Sequence, residues 1–173
     1  MIITIDQLRS IKAYERENVH VCLEKIKQIE SVIRTYTNNN FQNRMVQFYA
    51  KSDSDLLSLC PYLKVDDSVE ISQSINKGVY TVVDMKEGKI ILDVDLYPCD
   101  RNLVTKVEYP FAIQAGVLGM IEWETTNKKK IGIKSETISR HSVTYYDQDT
   151  NNTVMGYPVS LMAFCEPYMK PRY

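Results

Sequence analysis

A chain of 173 residues, 44% hydrophobic and 25% charged, has the size and balance of one globular domain, with room for a small inserted subdomain. Its formal net charge of −1 excludes the strongly basic field of a protein that grips nucleic acid or acidic lipid by charge. No apolar run approaches the roughly 18 residues of a membrane span, and the first ten residues lack the basic and apolar regions of a signal peptide, so a soluble, cytoplasmically made protein with no membrane partner is expected.

Ile3 to Leu8 reads as a helix start: Thr4 can cap, Gln7 can reach back, and Ile3 can pack on Leu8 as a hydrophobic staple, which predicts a short helix to about Ala13. From about Glu17 to Tyr36 the apolar residues Val19, Cys22, Leu23, Ile26, Ile29, Ile33 and Tyr36 recur every three or four positions, the stripe of an amphipathic helix. Asn38-Asn39-Asn40 ends it, because asparagine tolerates turn and left-handed geometry. The pattern then becomes β-rich. A strand is predicted at Met45–Tyr49, and others at Val69–Gln73, Val79–Met85, Lys89–Val94 and Leu103–Val107. Turns at Asn76-Lys77-Gly78 and Lys86-Glu87-Gly88 rest on glycine supplying a positive φ. Alternation at Ile90, Leu92 and Val94 implies one buried face, and the strands together imply a small antiparallel sheet or barrel. Leu56–Cys60 is ambiguous, and Pro61 ends whatever it forms.

A further helix is predicted from Tyr109-Pro110 to about Glu124, with proline pre-organised for the first turn. Along it Ala112, Ala115, Gly116 and Gly119 fall at i, i+3, i+4 and i+7, a stripe of small residues on one face. Either the long N-terminal helix or a neighbouring subunit would approach that stripe. The four cysteines, Cys22, Cys60, Cys99 and Cys165, lie in separate segments without a C-x-x-C pair, which argues against a zinc site or disulfide framework and predicts reduced, mostly buried thiols.

The rest of the chain runs Lys130-Ile131-Gly132-Ile133-Lys134-Ser135-Glu136-Thr137-Ile138-Ser139-Arg140-His141-Ser142-Val143-Thr144-Tyr145-Tyr146, then Met155-Gly156-Tyr157-Pro158 after a polar interval. Three segments, Gly116–Glu124 with its Glu-Trp-Glu end, Ile131–Tyr145, and Met155–Tyr168, resemble in order the motifs of the head–tail adaptor (connector) proteins of tailed phages of Gram-positive bacteria. With Val69–Asp84 and Val107–Pro110 the likeness takes in roughly two thirds of the chain, and Gly119 departs from it where the family carries an acidic residue. The resemblance implies a virion protein of the neck that forms a homo-oligomeric ring, a dodecamer. The ring would dock under the portal protein and offer its other face to a neck stopper or a tail-completion (terminator) protein, with genome DNA passing through unrecognised. It implies no enzyme activity, no cofactor and no metal.

The residues allow the same picture. Ser135 to Tyr146 is polar and β-branched, too weakly alternating to bury a face, and its backbone groups still need partners, which a flexible surface loop would find in water and an assembled chain in a neighbouring subunit. The interface candidates are therefore Ala112, Ala115, Gly116, Gly119, Ser135, Glu136, Thr137, Ile138, Ser139, Arg140, His141, Ser142, Val143, Thr144 and Tyr145. Tyr168, Arg172 and Tyr173 join them, because aromatics and arginine anchor interfaces, with docking of this tail onto the parent domain as the alternative. Pro158–Phe164 is predicted as a short apolar helix before that aromatic tail.

His20 is expected on the solvated side of its helix, and His141, between Arg140 and Ser142, is read as a surface or interface imidazole. Asp93 and Asp95 would share one face of a strand and, with the pairs Asp53/Asp55 and Asp66/Asp67, belong to solvated turns. Such pairs could otherwise hold a hard cation, serve acid–base chemistry, or line a DNA channel by like-charge repulsion. Lys128-Lys129-Lys130 is read as a solvated helix end. No phosphate-loop, dinucleotide, zinc-protease or nucleophile-elbow motif is present. The fold expected is α+β: N-terminal helices over residues 1–40, an inserted antiparallel β-subdomain over 41–108, a central helix over 109–126, and an extended segment with a terminal helix over 127–173. The rival functions are a neck stopper or tail-completion protein, a small nucleic-acid-binding β-barrel, and a hydrolase centred on His141 or the aspartates.

Overall fold

The computed structural model describes residues 1–86, 88–127, 135–138, 141–144 and 153–172. The class is mixed α+β, and the chain separates into two compact units, Met1–Thr4 with Asn38–Tyr109 and Ile5–Thr37 with Pro110–Tyr173.

The first unit is a closed five-stranded antiparallel barrel. Its strands are β1 (Gln42–Leu57), β2 (Ser68–Ser72), β3 (Gly78–Lys86), β4 (Lys89–Leu92) and β5 (Leu96–Val107), in the order β1-β4-β3-β2-β5 with β5 closing back on β1. Closure through β1 and β5 means that the sheet has no terminal strand. β1 can pair with β5 over most of its length and with β4 at Leu56↔Ile90 because register shifts between Asn43 and Gln47, Ala50 and Ser52, and Ser52 and Ser54 bend it. That strand is much longer than the predicted Met45–Tyr49, since the polar run Lys51–Asp55 belongs to it: it alternates outward exposure with inward Ser52. Ala50, Leu56, Val69, Ile71, Val82, Ile90, Leu92, Leu96 and Val104 fill the interior.

Two local expectations are corrected here. Gly88 has the positive φ of its turn, +74°, but Gly78 is the first residue of β3, paired with Ile71, and the left-handed residue of that connection is Gln73, φ 57°. Val94 does not extend the buried face of Ile90 and Leu92. β4 has ended, and Val94 is 56% exposed. The chain enters the barrel through Asn38 and Phe41, both left-handed, and the bulky Phe41 holds that conformation by burial, by packing its ring at a tilt of 42° with its centre 4.9 Å from that of Tyr109, and by a backbone bond from Glu108 N–H to its carbonyl.

The second unit contains α1 (Ile5–Arg9), a 3-10 turn (Lys12–Tyr14), α2 (Val19–Thr37), α3 (Phe111–Asn127) and a ten-residue 3-10 stretch (Val159–Tyr168). The first helix is thus one short turn of α followed by 3-10. In α2 the buried residues Cys22, Ile26, Ile29 and Ile33 carry the stripe, whereas Val19 at its start is exposed. Asn18 caps it, its Oδ1 accepting the His20 N–H at 3.0 Å. Two hairpins complete the unit: β6 (Ser135–Ile138) with β7 (His141–Thr144), and β8 (Thr153–Val154) with β9 (Tyr157–Pro158). Met155 and Gly156, φ 51° and 86°, form the two-residue turn between β8 and β9, a conformation with both centres left-handed that glycine makes cheap.

Candidate interaction surfaces

In the helical unit, two of the segments singled out in the sequence pack on each other. Gly116 on α3 lies under the ring of Phe164: a Cβ built there would meet Phe164 Cγ at 2.4 Å. The glycine is needed because an aromatic ring from the C-terminal 3-10 stretch occupies the space of its side chain. Two turns further along α3, Glu124 accepts two bonds from Lys25 Nζ, at 2.8 and 2.6 Å, and one from the Tyr157 hydroxyl at 2.6 Å. Lys25 is 8% exposed, so this pair is shielded from water and each charge depends on the other. The cluster joins α2, α3 and β9, and Trp123 lies 6.2 Å, centre to centre, from the Tyr157 ring. Burial first, then the bond to Glu124, pushes the Tyr157 hydroxyl far above its usual range. Glu124, Tyr157 and Phe164 hold the fold of this unit, a role that their lack of sequence proximity concealed.

Apart from Gly116, the small-residue stripe is uncovered. Ala112, Ala115 and Gly119 are exposed, a Cβ on Gly119 would meet nothing within 4 Å, and the large Phe111 beside them is 82% exposed. The opposite side of α3, with Ile113, Val117, Met120 and Ile121, is fully buried. From Phe111 to Ile121 the helix carries no charge at all. A surface helix normally turns polar residues to water, and this one presents an uncharged, largely apolar face. Flanking it, a cavity of about 450 Å³ is lined by Ser10, Ile11, Lys12, Leu118, Glu122 and Thr126, among others. The hydroxyls of Ser10 and Thr126 are spent on the backbone carbonyls of Gln7 and Glu122.

The backbone of Ser135, Glu136, Thr137, Ile138, His141, Ser142, Val143 and Thr144 pairs within itself, Ser135↔Thr144 through Ile138↔His141. The segment therefore answers part of its own need for hydrogen-bond partners, a solution that its weak alternation did not announce. Among the described residues no third strand joins this pair. Ser139, Arg140, Tyr145, Tyr173 and Lys128–Lys130 lie outside the described residues. Tyr168 is half-buried at the end of the 3-10 stretch. Arg172 is engaged within its own unit: its guanidinium donates to the carbonyls of Thr35 at 2.9 Å and Tyr36 at 3.5 Å.

In the barrel, Asp93 and Asp95 lie beyond the end of β4 and not on a strand. Asp93 is half-buried, and its Oδ1 accepts the Thr81 N–H at 2.8 Å, so it ties the β4–β5 connection to β3; Asp95 is exposed. Asp55 pairs with Lys89, and Asp67 with Lys106 at 2.9 Å. Among the described residues no three of His, Cys, Asp and Glu group as metal ligands. The outer face has one cationic-aromatic feature, Arg101 stacked 4.0 Å over the Tyr49 ring, with exposed Tyr97 on the same strand as Arg101. Between residues 38 and 109, however, the sequence holds eleven acidic against eight basic residues, so the barrel has no net positive charge to draw phosphate to it.

No helix of the described residues is long and apolar enough to cross a membrane. The cysteines are free thiols, buried at Cys22, Cys60 and Cys165 and half-buried at Cys99. No protein-family model and no curated protein matches the chain.

Proposed function

We propose that this chain is a structural subunit of a tailed-phage neck, a head–tail adaptor that joins copies of itself in a ring beneath the portal protein and prolongs the DNA path toward the tail. The observation that carries the proposal is the uncharged outer face of α3, where Phe111, Ala112, Ala115 and Gly119 stand exposed. An apolar face of this kind favours association with another protein surface, and small residues let a partner backbone come close. The likeness of Gly116–Glu124, Ile131–Tyr145 and Met155–Tyr168 to the adaptor motifs says which assembly that would be. The acidic balance of the barrel favours DNA sliding past rather than sticking, which suits a conduit and disfavours the rival of a nucleic-acid-binding module.

The test is co-expression with a portal protein from the same genome, followed by electron microscopy of the purified complex. A ring of this chain seated on the portal is expected. A chain that stays monomeric and ignores the portal overturns the proposal. Binding to an assembled adaptor ring instead would make it a stopper or tail-completion protein, and salt-dependent binding of the isolated chain to DNA would favour the nucleic-acid module. Virions that function normally with His141→Ala are expected, and their failure at a chemical step would revive the hydrolase.

A further inference from the structure

The last carbonyls of an α-helix have no partner within the helix and form its negative pole. In α2 three of them are met by one short segment: Lys170 N–H donates to Thr37 O at 2.8 Å, and the Arg172 guanidinium reaches Thr35 O at 2.9 Å and Tyr36 O at 3.5 Å. The cap is supplied from more than a hundred residues further along the sequence. Its mode of attachment is unusual for so long a tether, because Met169, Lys170, Pro171 and Arg172 are all exposed. The stretch just before them is held differently: Met162 and Cys165 are completely buried. Between the two modes the backbone leaves the 3-10 stretch and becomes extended at Met169, φ −67° and ψ 135°.

We propose that Met169–Arg172 is a latch on the carbonyl end of α2, closed by hydrogen bonds rather than by burial, which opens locally while the 3-10 stretch behind it stays packed. The physical basis is the difference in what each segment would lose. Opening the latch surrenders bonds that water can replace and uncovers little apolar surface, whereas lifting Met162 and Cys165 would expose core. Segments of the first kind occupy the low-stability end of a protein's opening spectrum. The device also has a functional edge, because Arg172 cannot cap α2 and reach a partner at the same time. Any partner that uses this guanidinium must draw on the open state, so closure reduces its apparent affinity by the fraction of time the latch is shut. This inference does not depend on ring formation and would survive the failure of the adaptor proposal.

Amide hydrogen exchange on the full chain tests it, comparing the parent protein with Arg172→Ala. The Lys170 amide is the direct reporter, since its own hydrogen bond to Thr37 closes the latch. Loss of the charged donor should speed exchange at Lys170 by roughly ten- to hundredfold, with the amides of Ile26, Ile29 and Cys165 unchanged. An unaltered Lys170 amide overturns the proposal. So does an equal acceleration at Lys170 and in the core, because the strap would then open only with the whole unit.

Discussion

The two units build their most enclosed polar clusters in different ways. The barrel turns its polar groups into a plug: Asn76 Nδ2 donates to Ser52 Oγ, Tyr97 O and Asn102 Oδ1, and its Oδ1 accepts the Tyr97 N–H. Asn102 in turn donates to Ala50 O and Ser52 Oγ. Every member is neutral, and all come from strands or turns of one continuous stretch. The helical unit instead buries an ion pair, Lys25 with Glu124, between helices that are distant in sequence, and leaves one face of α3 apolar and open. The barrel carries a partly buried ion pair too, Asp67 with Lys106, but its sheet is closed on itself. A unit with an uncovered helix face has surface left for assembly, which is why the adaptor proposal rests on the second and not the first.

The contrast is broken most severely at Glu124. Glu124→Ala leaves the Lys25 ammonium buried without its counter-charge, and a loss of about 3–5 kcal/mol is expected, measured by urea unfolding. The triple replacement Lys25→Met, Glu124→Leu and Tyr157→Phe removes both charges and the dependent hydroxyl together, and should recover most of that loss. Equal destabilisation by the single and triple variants would mean that packing, not charge, governs the cluster.

The barrel's plug is the next largest effect. Asn102→Ala removes the bonds that its Nδ2 gives to Ala50 O and Ser52 Oγ and one of the three acceptors around Asn76 Nδ2, at an expected cost of about 2–3 kcal/mol. Because the plug is internal to the barrel, amide exchange should accelerate at Ile71 and Val104 before Ile26 and Ile29. Uniform acceleration would erase the distinction between the units.

Much of both units is legible in the sequence, and the illegible parts share one cause. The helical spacing of Cys22, Ile26, Ile29 and Ile33, and the hairpin at Gly88, are local patterns, and they describe what folds locally. Asn76 reads as a turn residue and nothing singles out Ser52 or Asn102, because polarity alone does not reveal that each will find the others inside a closed barrel. Nothing local marks Lys25 for burial either, because its partner Glu124 is 99 positions away. Gly116 was legible as a close approach, yet not its neighbour: the stripe suggested a helix or another subunit, and the structure brings up Phe164. The face formed by Ala112, Ala115 and Gly119 is the portion of that stripe left for a partner.

Two glycines on α3 sharpen this division. Gly119→Ala enters open space and gains helix propensity, so stabilisation by roughly 0.5–1 kcal/mol is expected. Gly116→Ala receives the same propensity gain but must displace the Phe164 ring, and a net loss of about 1–2 kcal/mol is expected. The same substitution three residues apart should therefore change the thermal midpoint in opposite directions. In assembly assays the order reverses: a large side chain in Gly119→Leu should impair association while leaving the free subunit folded.

An alkaline limb extends the comparison, and its largest shifts lie in the helical unit. Burial pushes the Cys165 thiol up to about 12 from an ordinary value of 9.0, and raises the Tyr157 hydroxyl above its ordinary 10.0 with the help of Glu124. Both groups stay protonated in the folded state at pH values where the unfolded chain has released its protons. The folded state then binds more protons than the unfolded one, so stability is full below the ordinary values and falls as pH rises through them. The decline should begin near pH 9 with Cys165 and steepen above pH 10 with Tyr157. Urea midpoints taken from about pH 8 to about pH 11 measure it. Tyr157→Phe, which has no proton to lose, should flatten the upper part of the limb even though it lowers stability at neutral pH. An unchanged slope in that variant would show that Tyr157 ionises as freely in the folded chain as in the unfolded one, and that water reaches the cluster through which Glu124 joins α2, α3 and β9.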